Sequence, residues 1–562
     1  MPIGPVPGPD AAADTAKASA AESTSTFAAL RDPKFRWLWA ANVISGIGSM
    51  MHATAAAWIL VNEAGAATLV TLLQTMVSLP IFLFALPAGA LADMLDKRRV
   101  VLGSQLAGFF TAAVLTGLAL AGMANATVLL ISAFALGMAA AFGFPAWQAM
   151  LPELVGKSRW PSAITLGSIS INLARSLGPV AGGLLIGLAP PAVVFGINAV
   201  SFLAVVTAVA TLRSGKREPA GDAEPFLSSM AAAVRHIRYS PVIRRVLGGQ
   251  ALYIFMAVAP AALLPLIARH LKLEGAAFGA LTGVYGMGGI LTAFVALPVM
   301  RRRWPVDRIF QVSGLGGLLA AGGLAIVDSL SGVVPLLFLA GGAWMASMSQ
   351  FTIVGQASFP HWVRARASAV QLMVTQGAFA LGAVVWGQLT QHGSLHLALG
   401  VAAGGLGISV LTGWRWPMQK LLPRDLTPHE HRPRHGGFFR EPQPDEGPVL
   451  VEVAYRIDPA DEPAFFQAMR ELRGVRLRDG AFRWGLYHDL VRPGILHEVF
   501  LVEDWSTHMR QHARYTVESW RIEQAARQFH KGPEPPAVTH CLRVNLRGAS
   551  DGIRPPEDGT DR

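Results

Sequence analysis

Apolar residues run through this chain in long blocks. Twelve stretches are poor in charge, near residues 36–61, 68–92, 99–121, 126–149, 162–188, 190–212, 246–268, 276–300, 307–327, 332–356, 366–390 and 394–416. Each has about the twenty residues needed to cross roughly 30 Å of hydrocarbon. The polar positions between them alternate in charge. One set of connections holds Arg31, Lys34 and Arg36; Lys97, Arg98 and Arg99; Lys157 and Arg159; Arg301, Arg302 and Arg303; Arg364 and Arg366; Arg415 and Lys420. The other set is almost free of Lys and Arg, apart from Arg269 and Lys272. Basic loops stay in the cytoplasm, so both termini and the central loop are expected there. That loop carries a basic amphipathic stretch, Phe226 to Val246, which is expected to lie on the inner leaflet.

The pattern changes after residue 446. Residues 449–457 alternate as a strand, 459–473 read as a helix, and 482–490 and 495–504 as two strands. Residues 505–530 read as one long amphipathic helix and 538–546 as a last strand. The order β-α-β-β-α-β is the ferredoxin-like one.

Composition supports this division. Only 15% of the 562 residues are charged, well below the quarter usual in soluble chains. The net charge of +11 follows from the basic loops, so nucleic acid is not an expected partner. Cys541 is the one cysteine, which excludes an intrachain disulfide and a Cys-rich zinc site. The first 26 residues are Ala, Pro, Gly, Ser and Thr with few large apolar groups, and are expected to be disordered.

The halves repeat. Gln148-Ala-Met-Leu-Pro152, then a basic loop and Ser162-Ala163, matches Gln356-Ala-Ser-Phe-Pro360, a basic loop and Ser368-Ala369. In that register Arg175 falls opposite Leu381, so the charge belongs to one half. Thr165, Ser168, Asn172, Arg175, Pro179 and Gly182 form one helical stripe. A charge at that depth is costly and should face the bundle interior or a water-filled cavity. Its plainer role would be to bond carbonyls between helices. Other deep polar or aromatic candidates are Asn42, His52, Trp147, Gln148 and Gln376. His52 is the one well-buried group that titrates near neutrality in its unperturbed state. No deep carboxylate accompanies it.

Gly89-Ala-Leu-Ala-Asp93, followed by Lys97, Arg98 and Arg99, resembles the signature loop of the major facilitator superfamily. Met94 and Asp96 depart from its usual pattern. The resemblance implies a part in gating, with Gly89 allowing helices to approach. Gly178-Pro179-Val-Ala-Gly182-Gly183 is similar to the antiporter motif of drug-exporting facilitators; the glycines offer a small-residue packing face and Pro179 a bend. With Pro145-Ala-Trp147-Gln148, Leu151-Pro152-Glu153-Leu154 and Asn172-Leu-Ala-Arg175, the chain resembles the enterobactin-exporter-like branch, the transmembrane secretion effectors grouped with type-3 drug:proton antiporters. Arg476 to Ala481, Arg483 to Tyr487 and Trp505 to His512 resemble the carboxy-terminal extension of that branch. The extension is similar to the dimeric α+β barrel of antibiotic-biosynthesis monooxygenases.

The expected fold is therefore an all-α polytopic membrane protein, a 12-helix major facilitator of two six-helix halves, with a C-terminal α+β ferredoxin-like domain. The expected divisions are a disordered N-terminus at 1–30, halves at 31–212 and 246–420, and a linker at 213–245. A second linker at 421–446, the α+β domain at 447–546 and a disordered tail at 547–562 complete them. The resemblance implies proton-coupled efflux of an amphipathic small molecule, drug or siderophore-like, across a bacterial inner membrane, with no enzyme activity. It implies no cofactor beyond the proton gradient, and a homodimer through the C-terminal domain. An importer of the same fold, and a membrane-anchored monooxygenase-like or ligand-sensing domain, are the alternatives. His508 and His512 stand four apart on a helix, but spacing sets no third ligand, so no metal site is expected.

Overall fold

Helix α1 (Pro33–Val61) starts where the sequence supplies a cap. The Asp32 carboxylate accepts from the Lys34 and Phe35 amides at 2.8 and 3.2 Å, and Pro33 takes the first helical position, where no donor is missed. Five more helices complete the first half: α2 (Ala66–Met94), α3 (Lys97–Leu120), α4 (Ala126–Leu154), α5 (Trp160–Leu188) and α6 (Pro191–Ala210). The computed structural model describes residues 27–155, 159–212, 226–360, 362–417, 425–429, 440 and 442–544. Residues 1–26 and 547–562, expected to be disordered, lie outside these. Within the expected N-terminal disorder, Ala28–Arg31 form a 3-10 turn, and the Ala29 amide donates to Ser162 Oγ at 3.0 Å.

The chain divides into two units, one helical and one mixed. The second half of the helical unit begins with α8 (Pro241–Ala257), continued by short helices Ala259–Ala262 and Leu264–His270. It goes on through α9 (Gly275–Leu291), a π turn (Thr292–Ala296) and Leu297–Arg303. Then come α10 (Val306–Leu324), α11 (Leu330–Ser358), α12 (Arg364–His392) and α13 (Leu395–Arg415). The repeat is visible in lengths: α4, α5, α11 and α12 are each 29 residues.

Among the described residues, eleven helical spans are long and apolar enough to cross a membrane, where twelve were expected. The exception is α10, the stretch expected at 307–327. It is 19 residues long and holds Asp307, Arg308, Gln311 and five glycines, which dilute its apolar character. It packs against α13 within the second half.

The other unit gathers Glu224–Arg244, Ser358–Ala367 and the chain from Pro423 on. Its sheet has the order β2-β3-β1-β4, all antiparallel, from β1 (Val449–Arg456), β2 (Ala481–His488), β3 (Ile495–Val502) and β4 (Ala537–Leu542). Alternation sets the two faces: Val449, Val451, Val453 and Tyr455 are buried, and the residues between them are partly exposed. Helix α14 (Glu462–Asp479) crosses between β1 and β2.

The helix expected across 505–530 is two helices, α15 (Trp505–Ala513) and α16 (Val517–Arg527). The break follows from the segment beside it. The Val517 amide donates to Thr427 O at 3.0 Å and the His429 amide to Tyr515 O at 2.9 Å, so backbone groups at the break are satisfied by the incoming linker. Thr516 caps α16 through its hydroxyl.

Helix α7 (Phe226–Tyr239) corrects a second expectation. Its apolar face is not left free for a leaflet: Ala232, Ala233 and His236 are buried, and α7 packs on α14. The His236 ring meets Trp362 edge-on at 5.3 Å. Burial, with Arg478 and Arg514 nearby, pushes the His236 imidazole well below its ordinary range, so it stays neutral. Charge is concentrated on the neighbouring helices. Arg476 bridges Glu498 at 3.1 Å and Glu523 at 3.4 Å, while Trp484 Nε1 donates to Glu498 at 3.0 Å. Burial alone would raise the Glu523 carboxyl; Arg476 and Arg527 overcome it and hold it at about 2.

Candidate functional site

The first half encloses a cavity of about 430 Å³. Every one of α1 to α6 contributes to it. Helix α1 supplies Asn42, Ser45, Ser49 and His52; α2 supplies Gln74; α3 supplies Ser104 and Gln105; α4 supplies Phe144, Trp147 and Gln148. Gly167 and Ile171 of α5 and Phe202 of α6 close the ring. No Asp, Glu, Lys or Arg is among these lining residues. The wall offers amides, hydroxyls, one imidazole and aromatic faces, which suits an uncharged amphipathic molecule.

Part of this polar set is already engaged. Asn42 Nδ2 donates to Ser170 Oγ at 2.8 Å. Asn198 of α6 donates through Nδ2 to His52 Nδ1 at 3.2 Å, and Ser49 Oγ donates to Asn198 Oδ1 at 3.4 Å. An amide nitrogen can only donate, so neutral His52 carries its proton on Nε2. Phe195 packs on the same ring at 4.6 Å. Gln105 differs: its buried Oε1 has no hydrogen-bond partner among the described residues. A buried acceptor without a donor costs roughly 1–3 kcal/mol, and a ligand N–H or O–H would recover it.

Four of the residues anticipated for a substrate site thus come together: Asn42, His52, Trp147 and Gln148. Three do not line this cavity. Gln376 is half-buried on α12. Asn172 directly follows Ile171 on α5, and Arg175 sits one helical turn beyond it. Arg175 is exposed, has Tyr285 of α9 as its electrostatic neighbour, and pairs with no carboxylate among the described residues. Gln74 and Gln105 enter as two further lining polar groups, and the unsatisfied oxygen of Gln105 could not be read from spacing.

The glycine motif works as a packing surface on two sides. A Cβ at Gly182 would lie 2.9 Å from Met51 Cα, and one at Gly178 2.9 Å from Ile47 O, so both admit α1. Gly183 turns the other way and meets Gly279 of α9 backbone to backbone. A Cβ at Gly279 would stand 2.5 Å from Gly183 Cα and 2.7 Å from Pro179 O. Further along, Gly283 receives Val180, and Gly286 faces Ser176 and the Arg175 carbonyl. Pro179 has no N–H to offer that carbonyl. The glycine stripe 275, 279, 283 and 286 on α9 was legible as a spacing of four, four and three, but only its partner gives it meaning.

Other ties between the halves lie towards the same end. Arg269 donates to Val61 O at 2.7 Å, Thr75 Oγ1 donates to Ala380 O at 3.1 Å, and Gly387 accommodates Thr71. The halves therefore meet near the loops at 61–66, 188–191 and 270–275.

The loop between α2 and α3 does something other than bring helices close at Gly89. Among the described residues a Cβ there would find nothing within 4 Å, so no close helix approach is seen at this position. Asp93 lies in α2, but its side chain is outside the described set. Asp96 caps α3 by accepting from the Arg98 amide at 2.9 Å. Arg98 then donates from Nε to Val209 O at 3.1 Å and from its terminal nitrogen to Ala210 O at 2.6 Å. A cation placed on the free carbonyls of a helix C-terminus is favourable, and it ties α3 to α6. Lys97 begins α3 and Arg99 is exposed.

In the mixed unit, His508 is buried. Its Nε2 is 3.3 Å from His512 Nε2 and its ring is 4.9 Å from that of His540.

Comparisons with known proteins agree with this architecture. A family profile described as transmembrane secretion effector matches residues 24–548. The multidrug efflux pump Tap of Mycolicibacterium fortuitum is 26% identical over 398 residues, covering 67% of this chain and 95% of Tap. The enterobactin exporter EntS of Salmonella typhi is 26% identical over 318 residues, covering 55% of this chain and 74% of EntS. Among solved structures, a nucleoside transporter NupG variant superposes with a TM-score of 0.56 at 12% identity, covering 69% of this chain and 99% of NupG. An inward-facing, unoccupied bacterial homolog of the human lysosomal transporter Spinster gives 0.56 at 14% identity, covering 70% and 97%. At such identities the structural likeness speaks for fold alone.

Proposed function

The chain belongs to the transmembrane secretion effector family of the major facilitator superfamily, and on that premise we propose that it exports uncharged or weakly charged amphipathic small molecules, drug or siderophore-like, from a bacterial cytoplasm. The observation that carries this is the 430 Å³ cavity lined by amides and aromatic faces without a charged side chain. The relatives named an efflux pump and an exporter support the direction.

The transport cycle in this reading is alternating access between two six-helix halves, with α10 as the twelfth span. In this reading both termini lie on the cytoplasmic side of the inner membrane, which the basic loops support. The end where α5 packs on α9 then faces outward, which makes this the inward-open state. The Gly183–Gly279 seam is the outer closure, and the Arg98 clamp on α6 holds the amino-terminal half together as it moves. His52 is the proposed proton carrier. Arg175, set against Tyr285 of the other half, is the proposed sensor of closure, its charge finding a partner as the halves rearrange.

The mixed unit, read as a ferredoxin-like domain, is proposed to pair with a second copy through the uncovered side of its sheet. Leu450, Val499 and Leu501 are adjacent there in register and partly exposed. It acts as a dimerising or regulatory module.

Efflux of a compound panel from a pump-deficient host expressing the chain tests the main reading. The expected result is lowered accumulation of uncharged amphipathic compounds that an uncoupler abolishes. Uptake into inverted vesicles should run in the same sense; accumulation in whole cells would instead mark an importer. Arg175→Ala is expected to slow efflux on the order of tenfold while leaving substrate binding intact; unchanged efflux would remove Arg175 from the mechanism.

A further inference from the structure

One cluster of metal-ligating side chains lies away from the cavity. His270 ends the short helix Leu264–His270, Asp328 lies between α10 and α11, and His396 is the second residue of α13. Three connections of the second half thus converge on one point. Asp328 Oδ1 is 3.0 Å from Nε2 of His270 and 3.0 Å from Nε2 of His396. The two rings stand nearly perpendicular, 5.3 Å apart, and the three donor atoms all lie within 4.8 Å of one another.

We propose that His270, Asp328 and His396 form a surface site for a divalent transition-metal ion such as zinc. The geometry is close to what such an ion requires. Ligands at about 2.0–2.2 Å in a tetrahedron stand roughly 3.3–3.5 Å from one another, so the present spacings need only small side-chain rotations. Two imidazole nitrogens and one carboxylate oxygen form a donor set for zinc, nickel, cobalt or copper rather than for magnesium or calcium. The side chains are 38–60% exposed, so an ion can enter and water can take the fourth position. Each imidazole must then carry its proton on Nδ1, leaving the Nε2 lone pair to the metal. Without metal the carboxylate accepts from both rings instead, which holds the three ligands together in advance. Bound metal would staple the connections before α9, between α10 and α11, and between α12 and α13 into one rigid cap. The site stands or falls independently of the export reading, because none of its three residues lines the cavity or belongs to the Gly183–Gly279 contact.

The test uses the full chain, purified in detergent after chelator treatment. Calorimetric titration with Zn²⁺ gives affinity and stoichiometry, and Co²⁺ substitution gives a visible absorption band if the site is tetrahedral. One ion per chain is expected, with a rise in thermal midpoint on zinc addition. His270→Ala, His396→Ala and Asp328→Asn should each weaken binding on the order of tenfold or more and abolish the thermal shift. These positions are exposed, so the variants should elute as the parent does. The His508→Ala/His512→Ala double variant should bind as the parent does. Absence of saturable binding, binding unaffected by the three variants, or loss confined to the His508/His512 variant would each overturn the proposal.

Discussion

The two six-helix halves share one plan and place their buried polar groups differently. In the first half, Asn42, Gln74, Gln105 and Gln148 border a cavity, and the Gln105 oxygen is left without a donor. In the second half, polar side chains satisfy one another. Gln371 Nε2 donates to Gln250 Oε1 at 2.9 Å and to Phe351 O at 3.0 Å, and Gln250 Nε2 donates to Thr375 Oγ1 at 2.7 Å. Tyr253 completes the packing by donating to Ala343 O at 3.2 Å. Gln350 is the exception, buried with both amide atoms unpartnered among the described residues. The difference teaches that a structural repeat reproduces helix placement, while binding capacity follows from which half sets its polar groups at the border of a cavity.

The largest effect should come where the two halves meet. Gly279→Leu puts a side chain against the Gly183 and Pro179 backbones, which cannot move aside as a flexible side chain would. Efflux is expected to fall by on the order of tenfold or more at equal protein abundance. Gly89→Leu, introduced into open space, is expected to leave packing and efflux largely intact; the reverse ranking would sink this account of the seam.

Next comes the cavity against the closed chain. Gln105→Leu removes a buried acceptor of the cavity wall that has no partner among the described residues. For a substrate with an N–H or O–H donor the expected loss is about 1 kcal/mol, or roughly a fivefold rise in KM, with little change for a substrate lacking donors. Gln371→Leu should do the opposite, leaving KM in place while lowering stability. It strands Gln250 Oε1 and removes a second bond to the Phe351 carbonyl, at about 1–2 kcal/mol, visible as a drop of a few degrees in thermal midpoint. If Gln105→Leu lowers the midpoint and leaves KM unchanged, the two halves do not differ as described.

The smallest effect is expected at Gln350. Replacing an unsatisfied buried amide by an apolar group of similar shape is close to neutral or stabilising. Gln350→Leu should therefore hold or raise the midpoint, and a clear fall would show that Gln350 is bonded in a state other than this one.

Much of the architecture was legible along the chain. Span length and loop charge are local properties, so eleven of the twelve expected spans stand as helices long and apolar enough to cross a membrane. Val306–Leu324 falls short because its charges and glycines dilute it, and only packing on α13 marks its place. The four strands of the mixed unit were legible because alternation is local too, whereas the break at residues 514–516 depends on a linker about ninety residues earlier in the chain. Four of the anticipated site residues do line the cavity, being the polar or aromatic exceptions on apolar helices. Arg175 drew attention by its depth, but depth does not say which neighbour a helix face meets, and it does not line that cavity.

Sequence by itself therefore determined the number and length of the apolar segments, the duplication and the strand order. Hydrogen bonding and apolar burial act over neighbouring residues and leave a periodic trace. Only the tertiary structure decided which polar groups border a cavity, which glycines meet backbone to backbone, and that α7 covers α14. Those outcomes depend on the relative rotation of helices, which is set by partners far away in sequence.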